Sequence, residues 1–270
     1  MPELPEMANL ARQLDRRLAG RKIGEIHVLQ PKCLNLPPEE FQARLSGAEI
    51  ESAAPHGKWI QVDTSAGWLL LNLGMGGELL VVPRDGLPAK RRLVFELDDD
   101  TCLSVNFWWF GYAHYAPVDG LRQHPMLAKL GPGALDISPA EFTRLAAGQR
   151  GRVKDFLLNQ ARIAGIGNFY VHDILWMACL HPLRPLNTLS ANELARLYQA
   201  IQDGLRPSLE QGGAFYEVDT YGKNGGFSMD DVQVGYKEGQ PCPACGTPVE
   251  KIKTGGTSSF ICPVCQPLQP

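Results

Sequence analysis

Cys242-Pro-Ala-Cys245 and Cys262-Pro-Val-Cys265 decide how the end of this chain folds. Sixteen residues, 246–261, separate the two pairs. Each Cys-x-x-Cys turn aims two sulfurs at one point, and two such turns at this separation close on one tetrahedral zinc. Two disulfides or a redox pair are the other uses of these motifs. The doubling argues against a redox pair, and a reducing compartment argues against disulfides. Four thiolates leave no open coordination position, so the one expected Zn2+ is structural. It closes a small β-hairpin whose tip is Thr254-Gly-Gly-Thr-Ser-Ser259.

Outward from the finger, residues 211–226 are rich in glycine and lack a hydrophobic period, so they read as a loop. Before it lie helical stretches at Ala191–Leu209, Asn168–Ala178, Arg152–Asn159 and Phe142–Ala147. Ser190 is a good N-cap, and Pro182 and Pro185 mark a break. Between two of these helices, Ala164-Gly165-Ile166-Gly167-Asn168 turns sharply. Such a turn brings main-chain N–H groups close to an anion, although most interhelical turns bind nothing. From Lys22 to about Val118 the pattern is that of strands, in the runs Ile23–Leu29, Trp59–Val62, Trp68–Leu73, Leu79–Val82, Leu93–Leu97 and Cys102–Val105. The first segment is helical again. Leu10, Leu14 and Leu18 share one face, Pro5 suits the first turn, and Gly20 stops the helix.

At 270 residues the chain exceeds one small core, so two or three domains are expected. The most apolar run, Trp68 to Val82, is interrupted by Gly74, Gly76, Gly77 and Glu78 and cannot span a bilayer. The acidic start Met-Pro-Glu-Leu-Pro-Glu does not suit a secretion signal, so a cytoplasmic protein is expected, nucleoid-associated in a bacterium. The net charge of −3, from 26 basic and 29 acidic residues, does not by itself favour nucleic acid. Basic residues nevertheless gather at Lys90-Arg91-Arg92 and around Arg150, Arg152, Lys154 and Arg162. A solvated face explains them as well as a DNA-facing one. Cys33, Cys102 and Cys179 read as buried thiols of a reducing compartment.

Four segments together resemble the formamidopyrimidine-DNA glycosylase and endonuclease VIII family. They are Pro2-Glu3-Leu4-Pro5-Glu6, His56-Gly57-Lys58, Leu157 to Pro182 with its Gly-Ile-Gly-Asn core, and the finger ending Cys262-Pro-Val-Cys265-Gln266. The resemblance implies an α+β multidomain fold. An N-terminal β-sandwich with flanking helices would occupy 1–120, a helix–two-turns–helix domain 121–232, and the zinc finger 233–270. It implies damaged DNA as the partner of a monomer, bound in a cleft between the halves. It also implies DNA glycosylase activity with a strand-nicking lyase step.

The expected catalytic set is Pro2, Glu3, Glu6 and Lys58. Once Met1 is removed, Pro2 carries a secondary amine of pKa roughly 8, able to attack the sugar C1′ and form an iminium. By resemblance Glu3 is the acid at the sugar ring, Glu6 supports it, and Lys58 contacts phosphate and assists proton transfer. Lys154, Gly167 and Asn168 correspond to phosphate-contacting positions, with Arg91 added to the DNA-facing set from its basic cluster. Met75 matches the residue filling the gap left by an everted base, and Phe110 the wedge beside the unpaired partner. For these two a place in the core is equally compatible with the sequence.

Two departures from the family stand out. Thr257 follows Gly255-Gly256 where the family carries a phosphate-gripping arginine, and a hydroxyl brings no charge or bidentate fork. Trp108 and Trp109 replace two arginines before Phe110-Gly111. Stacking surfaces tolerate any base, which implies relaxed choice of the opposite base or single-stranded DNA. The lyase step is expected to carry out β-elimination, with δ-elimination weakened by Thr257 in place of arginine. A catalytically weak or inactive DNA-damage-binding protein on the same scaffold is the rival reading, and a zinc-finger protein binding RNA or protein a remoter one.

Overall fold

The computed structural model describes residues 1–268. By packing, the chain forms two compact units. One comprises residues 1–129 with 209–226, the other residues 130–208 with the chain from 227 onward. The sequence reading divided the chain at 120 and 232 instead. The glycine-rich segment belongs with the N-terminal residues because side chains of the first helix hold its backbone, and the finger packs with the helices rather than alone.

In the first unit, α1 (Leu4–Leu18) precedes two four-stranded antiparallel sheets that share one core. One sheet runs β1 (Ile23–Val28), β6 (Leu93–Leu97), β7 (Thr101–Asn106) and β5 (Glu78–Pro83). The other runs β2 (Ile50–His56), β3 (Trp59–Thr64), β4 (Gly67–Asn72) and β8 (Tyr112–Ala116). A short helix, α2 (Pro38–Leu45), buries Phe41 and Leu45 against this core. The apolar stripe of α1 enters it through Met7, Leu10, Leu14 and Leu18. Both outer strands of the second sheet, β2 and β8, lie outside the apolar runs read from the sequence. Pro55 is tolerated in β2 because an edge strand need not donate on its outer side. Beside β8, His114 Nδ1 and His124 Nε2 lie 2.9 Å apart against Trp59, and burial holds the His114 imidazole down to about 4.

A second stripe of α1 is polar. Glu6, Asn9, Gln13 and Arg17 recur at helical spacing and hold residues 212–220. Asn9 Nδ2 donates to Gly212 O at 3.0 Å, and Gln13 Oε1 accepts from Thr220 N at 2.9 Å. Arg17 bridges Thr220 O and Val81 O at 3.2 and 3.0 Å, with Tyr221 stacked on its guanidinium.

The second unit contains α3 (Pro139–Ala146), α4 (Val153–Leu158), α5 (Val171–Met177) and the start of α6 (Ala191–Glu210). Its hairpin is β9 (Glu250–Lys253) with β10 (Ser258–Ile261). Asp173 on α5 secures the approach to the finger, accepting from Gln233 N at 2.7 Å and from Val234 N and Gly235 N at 2.9 Å. Cys33 and Cys102 are buried as expected, but Cys179 is exposed. It ends a helix with φ 54°, which turns it out of the apolar interior. Among the described residues no helix is long and apolar enough to cross a membrane.

Candidate active site and nucleic-acid interface

The N-terminal carboxylates of the first unit are buried, Glu3 and Glu6 each at 3% exposure, and Pro2 is buried with them. Carboxyl groups at that depth require hydrogen-bond partners. Glu6 Oε2 accepts from Glu3 N at 2.8 Å, the returning arm of a capping box at the positive end of α1. Its Oε1 accepts from Ala214 N at 3.0 Å. A Cβ on Gly213 would lie 3.1 Å from Glu6 Cγ, so this glycine, at φ 102°, allows the close approach. Glu6 therefore joins the N-terminal end of α1 to the glycine-rich segment.

That segment brings a third carboxylate that the sequence reading missed. Glu217 Oε1 lies 3.5 Å from the Met1 amine, with its side chain only 10% exposed. Burial raises its pKa to about 7, opposed by the amine and assisted by Glu6 and Glu3. An ordinary carboxylate ionises near 4.5, so folding resists deprotonation of Glu217 as the pH rises from there to about 7. Glu217→Gln should thus stabilise the protein above pH 7 by about 3 kcal/mol, with no gain below pH 4.5. Thermal melts of both proteins across that range test this; an equal gain at every pH would contradict it.

Lys58 occupies the tight turn between β2 and β3, next to Gly57 at φ 58°. Asn72 Nδ2 donates to Lys58 O at 2.8 Å and fixes the turn. Met75 and Trp109 form an antiparallel bridge, Met75 N to Trp109 O at 2.9 Å, and Trp108 N donates to Met75 O at 3.0 Å. Gly74 permits this, since a Cβ there would fall 2.0 Å from Trp109 O. The two joined loops present Met75, Trp108, Trp109 and Phe110 at 49, 64, 64 and 68% exposure. Core roles for Met75 and Phe110 are excluded by that exposure. Phe110 has φ 56°, a conformation unusual for an aromatic residue. Arg91 is partly buried and donates to Pro88 O at 2.7 Å.

In the second unit, Gln160 braces the Gly-Ile-Gly-Asn turn. Its Oε1 accepts from Gly165 N and its Nε2 donates to Ile166 O, both at 2.8 Å. Gly167 is buried, and α5 begins three residues after Asn168, whose Nδ2 faces Tyr236 Oη at 3.2 Å and His172 Nε2 at 3.4 Å. Tyr236, a further residue missed in the sequence, is exposed with φ 58° and stacks on Phe169. A lone tyrosine before a charged pair gives no local signal of such a partnership.

Lys154 requires a correction. Expected at phosphate, it is 1% exposed, with Nζ 3.2 Å from Thr254 Oγ1, 3.0 Å from Thr257 Oγ1, 2.7 Å from Ser258 O and 2.8 Å from Ser259 Oγ. The ammonium is engaged by the finger hairpin, and burial lowers its pKa to about 8. Thr257 is exposed at the tip and receives this hydrogen bond on its hydroxyl oxygen. Of the loop aromatics, Phe227 packs against Phe169 and Tyr170, while Tyr216 stays exposed beside Phe215.

The four cysteine sulfurs of the finger lie within 4.8 Å of one another. Cys242–Cys265, Cys245–Cys262 and Cys265–Cys245 are separated by 3.8, 3.4 and 3.6 Å. Tetrahedral bonds of about 2.3 Å to zinc require sulfurs about 3.8 Å apart, so the donor set fits one structural zinc. Trp176 Nε1 faces Cys242 Sγ at 3.4 Å and favours its thiolate.

Three family descriptions match in succession. Residues 1–106 match the formamidopyrimidine-DNA glycosylase N-terminal domain, residues 130–219 the H2TH domain of the same proteins, and residues 239–268 a zinc finger found in FPG and IleRS. The chain is 36% identical over 276 residues to a formamidopyrimidine-DNA glycosylase of Chloroflexus aggregans, covering 99% of both proteins. It is 35% identical over 274 residues to the protein of that name from Symbiobacterium thermophilum, covering 99% of this chain and 90% of the other. Among solved structures, a mutant Lactococcus lactis FPG bound to a Fapy-dG containing DNA superposes with a TM-score of 0.91 at 28% identity, over 98% of this chain and 100% of that one. MutM with carbocyclic 8-oxo-G containing DNA superposes at 0.90, also at 28% identity and with the same coverage.

Proposed function

Because the chain belongs to the formamidopyrimidine-DNA glycosylase family, we propose that it is a DNA repair glycosylase and AP lyase acting through Pro2. The observation carrying this reading is the buried set of Glu3, Glu6 and Glu217 beside the N-terminal amine. Removal of Met1 makes the Pro2 nitrogen a terminal secondary amine. Its lone pair attacks C1′ of the damaged nucleotide, the bond from C1′ to the base breaks, and the base leaves with the bonding electrons. Glu3 gives a proton to the ring oxygen as the sugar opens, and loss of the proton on nitrogen leaves an iminium. The iminium acidifies C2′; loss of that proton expels the 3′ phosphate and nicks the strand by β-elimination.

Glu6 holds the site together through Glu3 N and Ala214 N. Lys58, Asn168 and the turn at Gly167 serve as phosphate contacts, and Arg91 and Thr257 are further DNA-contacting residues. Met75 fills the gap of the everted nucleotide and Phe110 wedges beside its former partner, while Trp108 and Trp109 supply base-tolerant stacking. The protein acts as a monomer on damaged DNA, and zinc shapes the finger without taking part in the chemistry. A damage-binding protein without catalysis is the reading that the loss of arginine at Thr257, Trp108 and Trp109 favours.

Borohydride trapping on abasic-site DNA distinguishes the two. The processed protein should yield a covalent adduct at Pro2, and a form blocked by retained Met1 should yield none. Tight binding by the processed protein without an adduct would establish the damage-binding reading instead.

A further inference from the structure

Glu217 stands in a turn that α1 holds in place. Glu6 Oε1 accepts from Ala214 N at 3.0 Å, Ala214 O accepts from Glu217 N at 3.0 Å, and Glu217 O accepts from Gly225 N at 3.1 Å. Its main chain is thus fixed on both sides, and its side chain, 10% exposed, is turned toward the N-terminus. The Met1 amine, 3.5 Å from Oε1, is the partner of this carboxyl group among the described residues. Polar groups sunk this far are normally paired, and processing takes this partner away.

Met1 marks what the carboxyl group faces. Pro2 N is bonded to the Met1 carbonyl carbon, which stands where C1′ of the nucleotide stands once Pro2 has attacked. Met1 Cα then stands in for the glycosidic nitrogen, and the Met1 amine for the part of the base next to it. A base that departs as an anion is a poor leaving group, whereas a proton on its edge lets it leave neutral. Burial lets Glu217 hold a proton up to about pH 7. The charged groups facing it are the amine, which opposes this, and Glu6 and Glu3 of the α1 end, which assist it. The opposing charge departs with Met1.

We propose that Glu217 is the acid that protonates the departing base. This rests on the glycosylase reading above and adds to it a catalytic residue from the glycine-rich segment. The Glu217 O–H bond breaks, and its proton goes to a nitrogen or oxygen on the edge of the base. The bond from C1′ to the base breaks with its electron pair passing to the base, which leaves neutral. Glu217 is then a carboxylate, and the attacking nitrogen is a cation carrying one surplus proton. That proton passes to Glu217 and restores the acid. The neutral adduct left behind opens to the iminium as Glu3 protonates the ring oxygen.

The test compares single-turnover excision by the processed wild type and Glu217→Gln. The substrates are duplexes carrying oxidised bases graded by the acidity of the base once released. Glutamine keeps the shape of the side chain but has no proton to give, and the variant is expected to be at least as stable as the wild type. It should lose about a hundredfold on the least acidic base and no more than about threefold on the most acidic. Borohydride trapping on a preformed abasic site, which has no base to expel, reads the Pro2 amine separately and should fall far less than excision. A loss equal across the panel, a loss in trapping as large as that in excision, or no loss at all overturns the role in base departure and leaves the glycosylase reading intact. A wild type that traps but excises none of the bases overturns the glycosylase reading and this role together. One that does neither overturns the lyase as well.

Discussion

Replacing Glu3 by Gln is expected to lower base excision by about a thousandfold while changing affinity for abasic DNA by less than about threefold. Glutamine has nearly the same shape and keeps an acceptor oxygen, and the Glu3 N–H bonded to Glu6 belongs to the main chain. What disappears is the proton that the carboxyl group exchanges at the sugar ring in the proposed mechanism. Glu6 is a poorer probe of chemistry, because its carboxylate also satisfies two buried main-chain N–H groups. Single-turnover excision across a panel of oxidised bases, with anisotropy on an uncleavable abasic analogue, separates rate from binding. Excision by Glu3→Gln within about tenfold of wild type would remove Glu3 from the acid role.

Stripping the zinc should have the largest effect on stability, and it should fall on the helical unit as well as the finger. The finger's own core is small, Val234, Val249 and Phe260 with Trp176 packed against it. Zinc in comparable fingers contributes roughly 10–16 kcal/mol, which is the folding energy of the module. Without it the hairpin opens and Thr254, Thr257, Ser258 and Ser259 withdraw from Lys154. A buried ammonium that loses its acceptors destabilises its surroundings by about 3–5 kcal/mol. Chelator-treated protein and Cys262→Ser should therefore lose one zinc per chain, melt well below the native protein and lose affinity for abasic DNA. An unchanged melting curve after complete zinc release would show that the finger stands on its own packing.

Much of the local structure was legible because its signals are short-range. The cysteine spacing names the finger and its metal, and the structure adds only the sulfur distances. Leu10, Leu14 and Leu18 announced α1, and the apolar runs marked six strands. The edge strands β2 and β8 and the helix α2 carry weaker patterns, since an edge or a short proline-led helix buries less. For the site, the Pro-Glu-Leu-Pro-Glu start and the Gly-Ile-Gly-Asn turn identified where to look.

Sequence alone thus determined the zinc ligands, the helix that presents Glu3 and Glu6, and the alternation of the strands. These follow from spacing along one stretch of chain. Only tertiary structure decided that Met75 and Phe110 face outward, that Lys154 turns inward, and that Glu217 joins the N-terminal carboxylates. Glu6 meets Ala214 across 208 residues, and Lys154 meets Thr257 across 103. Periodicity reports which face of an element is apolar, but a polar side chain's partner is set by whatever backbone the fold brings against it.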